Sequence, residues 1–245
     1  MKVRAALALV AGALIPVGAC NVAGPETVVG SGKSASEQFG FTGFRRVDVQ
    51  GPFHIELARS EKFHIAVTAD DNILELIQVA KDADVLRIGV GGGNKPVSVR
   101  PMTALLVTLA MPALDELRMG GACTGRLIKW SDGPTPLRLT LDGASTLRGR
   151  IDVREVVMDV NGASEVDVQG VAKQAALEAN GASRLKLRLL TLDKAEVRLS
   201  GASSAVVDVK NKLDYDVSGA SHLEYAGHPT LGKHETSGAS SATPK

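Results

Sequence analysis

The chain has 245 residues, of which 28 are basic and 27 acidic, for a formal charge of +1. That balance excludes the basic footprint of a nucleic-acid binder. Two cysteines exclude a disulfide scaffold, and 44% hydrophobic with 22% charged residues excludes a mainly disordered chain. All five Phe lie between Phe39 and Phe63, and beyond them the only rings of this size are Trp130, Tyr215 and Tyr225. That long region must fold around a narrow, aliphatic core.

Residues 1–19 read as a signal peptide. Lys2 and Arg4 precede a mostly apolar stretch from Ala5 to Val17, which is too short to span a bilayer. It ends Val17-Gly18-Ala19-Cys20. This resembles a bacterial lipobox, in which the Cys becomes the acylated first residue. Cys20 is therefore the expected lipid attachment site; the alternative is ordinary cleavage beside an incidental Cys. Several acyl chains would anchor the protein stably to a membrane. Asn21 instead of Asp favours the outer membrane, facing the periplasm or the surface, with a soluble periplasmic protein as the alternative. Residues 20–40, small and polar, read as a flexible tether. Gly32-Lys33-Ser34 ends like a phosphate-binding loop, but Thr27 stands where its first Gly belongs.

Residues 41–113 form a β-rich N-terminal part, expected to cap a C-terminal solenoid and to hold the Phe-rich core. Strand-like alternation covers Arg46–Val49, Phe53–Ala58, Phe63–Thr68, Val85–Val90 and Leu105–Ala110. Asp70-Asp71-Asn72 is placed to cap a short helix reaching Ile77. The loop Gly91-Gly92-Gly93-Asn94 is not a dinucleotide fingerprint, because Asn94 occupies the third Gly position.

Residues 114–245 are governed by a repeat. The triplet Gly-Ala-Ser recurs from Gly143, Gly162, Gly181, Gly201, Gly219 and Gly238, with Gly121-Ala122-Cys123 as a divergent first copy; the spacings are 22, 19, 19, 20, 18 and 19. About 19 residues suit one coil of a β-helix of short strands and tight corners. Gly at each corner allows φ > 0. Ser145, Ser164, Ser183, Ser203 and Ser221, with Asn161 and Asn180 before their glycines, are expected to bond corner backbone and the next coil. A row of nucleophilic serines is the competing reading, but no Gly-x-Ser-x-Gly elbow and no recurring His accompanies them.

Period-2 alternation predicts inward columns. One is Leu139, Met158, Leu177, Val197, Tyr215, and another is Leu141, Val160, Ala179, Leu199, Val217. A third, after the corner, holds Leu147, Val166, Leu185, Ala205 and Leu223. Trp130 falls outside the regular coils. Outward, Arg148, Asp167 and Lys186 form one alternating column and Arg150, Gln169, Arg188 and Asp208 another, so opposite charges should pair between coils. A mainly acidic column, Asp159, Glu178, Arg198, Asp216 and Glu235, could bind a cation or serve acid–base sugar chemistry. The Arg in its middle argues against metal. His222, His228 and His234 are spaced six and six, unlike any common ligand motif. Cys123, replacing a corner Ser, is expected to be a buried thiol.

The leader, Phe44-Arg45-Arg46-Val47-Asp48-Val49, Val67-Thr68-Ala69-Asp70-Asp71-Asn72-Ile73-Leu74 and the Gly-Ala-Ser coils together resemble the head GIN domain family, DUF2807, an auto-transporter adhesin head. The resemblance spans about residues 40–225 and implies an all-β fold, a single-stranded right-handed parallel β-helix of the pectin-lyase-like class with a β-rich cap. It implies no catalytic residues. The expectation is a non-enzymatic, envelope-anchored scaffold for adhesion or protein interaction. It needs no cofactor or metal, has an unidentified protein or glycan partner, and associates weakly with itself at its open C-terminal edge. The alternative is a β-helix that binds or cleaves polysaccharide, for which an outward row of sugar-stacking rings is missing.

Overall fold

The computed structural model describes residues 26–91, 97–131 and 136–245. Leader, Cys20 and the 92–96 loop lie outside the described residues, so the expectations on them meet no structure. The first elements are β1 (Glu26–Val29), β2 (Ser34–Gln38), β3 (Arg46–Gly51), β4 (His54–Arg59), β5 (His64–Asp70) and helix α1 (Asp71–Leu74). Next come β6 (Ile77–Asp82), β7 (Val85–Val90), β8 (Val97–Arg100), β9 (Leu106–Met111), β10 (Glu116–Gly121), β11 (Thr124–Ser131) and β12 (Leu137–Leu141). Then come four long strands, β13 (Thr146–Val160), β14 (Glu165–Ala179), β15 (Arg184–Leu199) and β16 (Ser204–Val217), and finally β17 (His222–Ala226), β18 (Thr230–Thr236) and β19 (Ser241–Pro244).

From β10 onward each strand pairs in parallel with its equivalent one coil later, giving a β-solenoid of about six turns with coils about 20 residues apart. The register follows the apolar columns. Leu139 faces Met158, Met158 faces Leu177, Leu177 faces Val197 and Val197 faces Tyr215. All five are buried, as are Leu141, Val160, Ala179, Leu199 and Val217 beside them. The column after the corner, Leu147, Val166, Leu185, Ala205 and Leu223, is buried too, and a further set runs through four successive coils: Trp130 faces Ile151, Ile151 faces Gly170 and Gly170 faces Leu190. Trp130 is thus a core residue at 2% exposure, contrary to its expected place outside the coils. An extra residue in β11 shifts its register between Leu127 and Trp130, which hides Trp130 from a simple period count.

The N-terminal half contributes coils of its own. β3 pairs in parallel with β10, setting Gly51 opposite Gly121, and β4 pairs in parallel with β11. On the other side β7 stacks on β3 and β9 on β4. Stack order therefore differs from chain order, because β3 and β4 lie between β7 and β9 on one side and β10 and β11 on the other. The core runs unbroken through residue 113. Antiparallel strands close the outer end, with β6 on β7 and β5 on both β9 and β2. The flexible tether expected over 20–40 is corrected from Glu26 on: β1 pairs with β8 and β2 with β5. Small polar residues suffice there because neighbouring strands satisfy their backbone. The helix stops at Leu74 rather than Ile77, since Ile77 pairs with Val90 as the first residue of β6.

Candidate binding surfaces

The corner residues form a continuous structural column. Gly181 has φ +79°, and a Cβ there would fall 2.6 Å from Gly162 O. The close approach lets Ala182 N–H donate to Gly162 O at 2.7 Å, and Ala163, Ala202 and Ala220 repeat this bond to Gly143, Gly181 and Gly201. Ser145, Ser164, Ser183, Ser203 and Ser221 are buried. Ser183 Oγ donates to Asn180 O at 2.8 Å, and Ser145 N–H donates to Ser164 Oγ at 3.2 Å. Asn180 Nδ2 donates to Asn161 Oδ1 at 3.0 Å, and Asn161 Nδ2 donates to Asp142 Oδ1 at 3.1 Å. A polar spine thus runs up one edge, its hydroxyls consumed by backbone. Gly219 and Gly238 continue it, with Ala239 N–H donating to Gly219 O.

A further corner carries no Gly-Ala-Ser triplet. Gly51-Pro52-Phe53 occupies the triplet position of the coil before Gly121, with Thr124 N–H donating to Phe53 O at 2.8 Å. Phe53 fills the Ser slot and is fully buried. Its sequence signal is the apolar spacing, Val47 and Val49 before the corner and Ile55 and Leu57 after it. Cys123, the next residue in that column, is buried. Burial pushes its thiol pKa up, against the pull of nearby backbone groups, and Sγ donates to Gly51 O at 3.0 Å.

The motifs carrying the resemblance have structural work. Arg45 and Arg46 strap three non-sequential coils. Arg45 Nε donates to Asp115 at 2.6 Å beside β10, and Arg46 Nη2 to Asp84 at 2.5 Å beside β7. Asp70 does not cap α1 with its side chain. Its buried carboxylate accepts N–H bonds from Gly32 at 2.8 Å, Met102 at 2.9 Å and Thr103 at 3.2 Å. Burial alone would raise its pKa, but these bonds outweigh it and hold the group below the usual carboxylate range. Asp71 accepts a short bond from Ser31 Oγ, and Asn72 Nδ2 donates to Val29 O at 2.8 Å. Together the three residues clamp the segment after β1.

The acidic column stacks in register, Asp159 to Glu178, Arg198, Asp216 and Glu235. Beside it small residues Ala175, Ala176 and Ala195 floor a shallow trough of about 350 Å³, rimmed by Glu155, Gln174, Lys194, Glu196, Lys212 and Asp214. Two acids of the trough, and Asp159 of the column, lie beside cations. Lys212 Nζ lies 2.6 Å from Asp214, Arg198 contacts Glu196, and Arg138 lies 3.8 Å from Asp159. Asp159 has its pKa raised, first by burial and then by acids such as Glu178, with Arg138 opposing. The hydrogen bond from Lys212 holds Asp214 low.

The other charge columns differ from expectation. Arg148, Asp167 and Lys186 do share a register. Yet Lys186 Nζ bonds Glu165 at 2.9 Å and Arg148 lies 3.9 Å from that same Glu165. Asp208 faces Thr191 rather than Arg188, because β15 carries extra residues there. Among the described residues no three His, Cys, Asp or Glu converge as a metal site. His222 Nδ1 contacts Ser241 Oγ at 2.6 Å, the His234 ring lies tilted against Tyr215 with centroids 5.8 Å apart, and His228 is exposed. Trp130 and Tyr215 are buried, so neither offers a sugar platform.

The family model "Putative auto-transporter adhesin, head GIN domain" (DUF2807) matches residues 43–229, the span that holds both motifs and the coils through Gly219. The chain belongs to the DUF2807 head GIN family. No curated protein matches it. Solved structures share the fold at low identity. A putative adhesin from Bacteroides fragilis has a TM-score of 0.76 at 19% identity, covering 89% of this chain and 100% of that one. A putative lipid binding protein from Parabacteroides distasonis has 0.74 at 18%, covering 90% and 100%. A putative adhesin from Parabacteroides merdae has 0.61 at 16%, covering 90% and 99%. Among the described residues of this head GIN chain no helix is long and apolar enough to cross a membrane.

Proposed function

We propose that this head GIN protein is a non-enzymatic cell-envelope scaffold, anchored through acylated Cys20 and displaying a rigid β-solenoid for adhesion or protein interaction. The observation that carries the reading is the outer surface: charged side chains stand in register over several coils, and among the described residues several of its acids, Asp159, Glu196, Asp214 and Glu235, lie beside a cation instead of converging on one point. The family and its solved relatives support an adhesin class. The clamp at Asp70 adds a mechanical element. Glu26, where β1 begins, comes soon after Cys20 in the chain, and a segment of that length spans at most about 20 Å. An acyl anchor at Cys20 would therefore hold the solenoid close to its membrane.

Pull-down from intact envelope with the lipidated protein tests this. A stoichiometric partner, released by charge reversals on the outer sheet such as Glu178→Lys with Glu235→Lys, supports the scaffold. The second reading is a polysaccharide-binding or polysaccharide-cleaving β-helix, favoured by the trough and by the raised pKa of Asp159. Glycan turnover that disappears in Asp159→Asn would replace the first reading with this one. Self-association at β18 and β19 is proposed to be weak, because Leu231 and Ala242 leave only small apolar cover there; sedimentation at rising concentration should show a slight increase in mass.

A further inference from the structure

Two irregularities fall on the same edge of the solenoid. In β11 one extra residue sits between Leu127 and Trp130, opposite Arg150 of the next coil. In β15 one extra residue sits between Lys186 and Leu190, opposite Gln169 of the preceding coil. Each bulge turns an aliphatic side chain outward: Ile128 is 46% exposed and Leu189 is 70% exposed. The regular coils between them present Arg150 and Gln169 at this position. Bulges re-aim side chains; a single exposed aliphatic is ordinary on a protein surface, and what sets this pair apart is that both are re-aimed by a bulge into a basic neighbourhood. Val171, 50% exposed, lies on the adjoining strand.

The surroundings are basic. Leu189 shares a trough with Arg126, Arg148, Asp167 and Gln169. Lys129, Arg150, Lys186 and Arg188 are exposed along the same edge. The cations outnumber the acids near them, which include Asp167 in register between Arg148 and Lys186 and Glu56 in register with Arg126. Glu165 serves both Lys186 and Arg148, and Asp152 serves Arg150. The two aliphatics sit three coils apart, about 14 Å at the spacing of paired strands. Exposed apolar tips flanked by Arg and Lys suit the boundary of an anionic bilayer, where the tips enter the acyl region and the cations meet lipid phosphate. A soluble polyanion would use the cations but gain nothing from the Leu.

We propose that the Ile128–Leu189 edge is a docking surface for an anionic phospholipid bilayer. The edge acts independently of the acyl group, so the test removes that group. The chain from residue 20 onward, carrying Cys20→Ser, contains every described residue and is sedimented with phosphatidylethanolamine vesicles with and without phosphatidylglycerol. Binding is expected only with phosphatidylglycerol and is expected to fall as salt rises. Arg126→Gln with Arg148→Gln should weaken it by at least about tenfold, and Leu189→Ser by about tenfold. All three positions are exposed, so melting temperatures should hold. A Leu189→Trp variant should be quenched by brominated lipid while a Glu178→Trp variant is not. No sedimentation with the anionic vesicles would overturn the proposal. Binding that Leu189→Ser leaves intact would overturn it equally, since that is the behaviour of a surface for soluble polyanions. Retention of the wild-type partner in the envelope pull-down without vesicle binding would leave the scaffold reading standing and remove this one.

Discussion

Replacing Gly181 by Ala places a methyl group against Gly162 O at a left-handed φ of +79°. The strained conformation alone costs about 1–2 kcal/mol, and the lost approach also lengthens the Ala182 to Gly162 bond. Denaturant unfolding should show a loss of at least that size, whereas Ala163→Ser, at an exposed corner position, should show almost none. Asp70 makes a pH prediction. Its folded pKa is depressed, so its stabilisation is present above the ordinary carboxylate value of about 3.9 and is lost as pH falls through the folded value. Amide exchange in residues 30–33 and 101–103 should therefore rise on acidification of the wild type. Asp70→Asn should be less stable at neutral pH and should show little of this acid dependence. Local spacing marks Asp70 for a helix cap; its real partners, Gly32 and Met102, are distant in the chain and carry no motif, so nothing near Asp70 in the sequence reveals them.

At the scale of the strand, the apolar columns were legible because period-2 alternation survives wherever coils have equal length. Leu177 sits in such a column, fully surrounded by Met158 and Val197. Leu177→Ala should cost about 2–5 kcal/mol in an unfolding titration. Where coil length changes, legibility ended: one extra residue concealed Trp130 as core, and extra residues in β15 moved Asp208 away from Arg188. Ion pairs depend on side-chain reach rather than column identity, since Lys186 pairs with Glu165 and not with its register partner Asp167. Reversal of Glu165 should consequently destabilise more than reversal of Asp167, each by no more than about 1 kcal/mol. Comparing melts of Glu165→Lys and Asp167→Lys settles which acid the cations use.

Across the whole molecule, the repeat revealed the solenoid but not its non-sequential start. Nothing in the order of β3, β4, β7 and β9 indicates that the later pair stacks outside the earlier one; that arrangement rests on long-range pairing and on the Arg45 and Arg46 straps. An internal coil cannot be removed without separating its neighbours, whereas terminal repeats are held from one side. Deleting residues 44–60 should thus abolish cooperative unfolding, while deleting residues 230–245 should preserve it with a lower midpoint. The candidate surfaces were only partly readable for a related reason. The acidic column is periodic and was visible, but the bulged edge exists only where periodicity fails. The central claim is that this scaffold works through its outer faces over several coils. Site-specific photo-crosslinking in intact envelope, with the crosslinker placed in turn at Glu178, Glu235, Arg126, Leu189 and corner Ala163, tests it most directly. The account predicts adducts from outward positions spread over successive coils of a face and none from Ala163. Adducts confined to the trough around Ala176, together with glycan turnover, would contradict it.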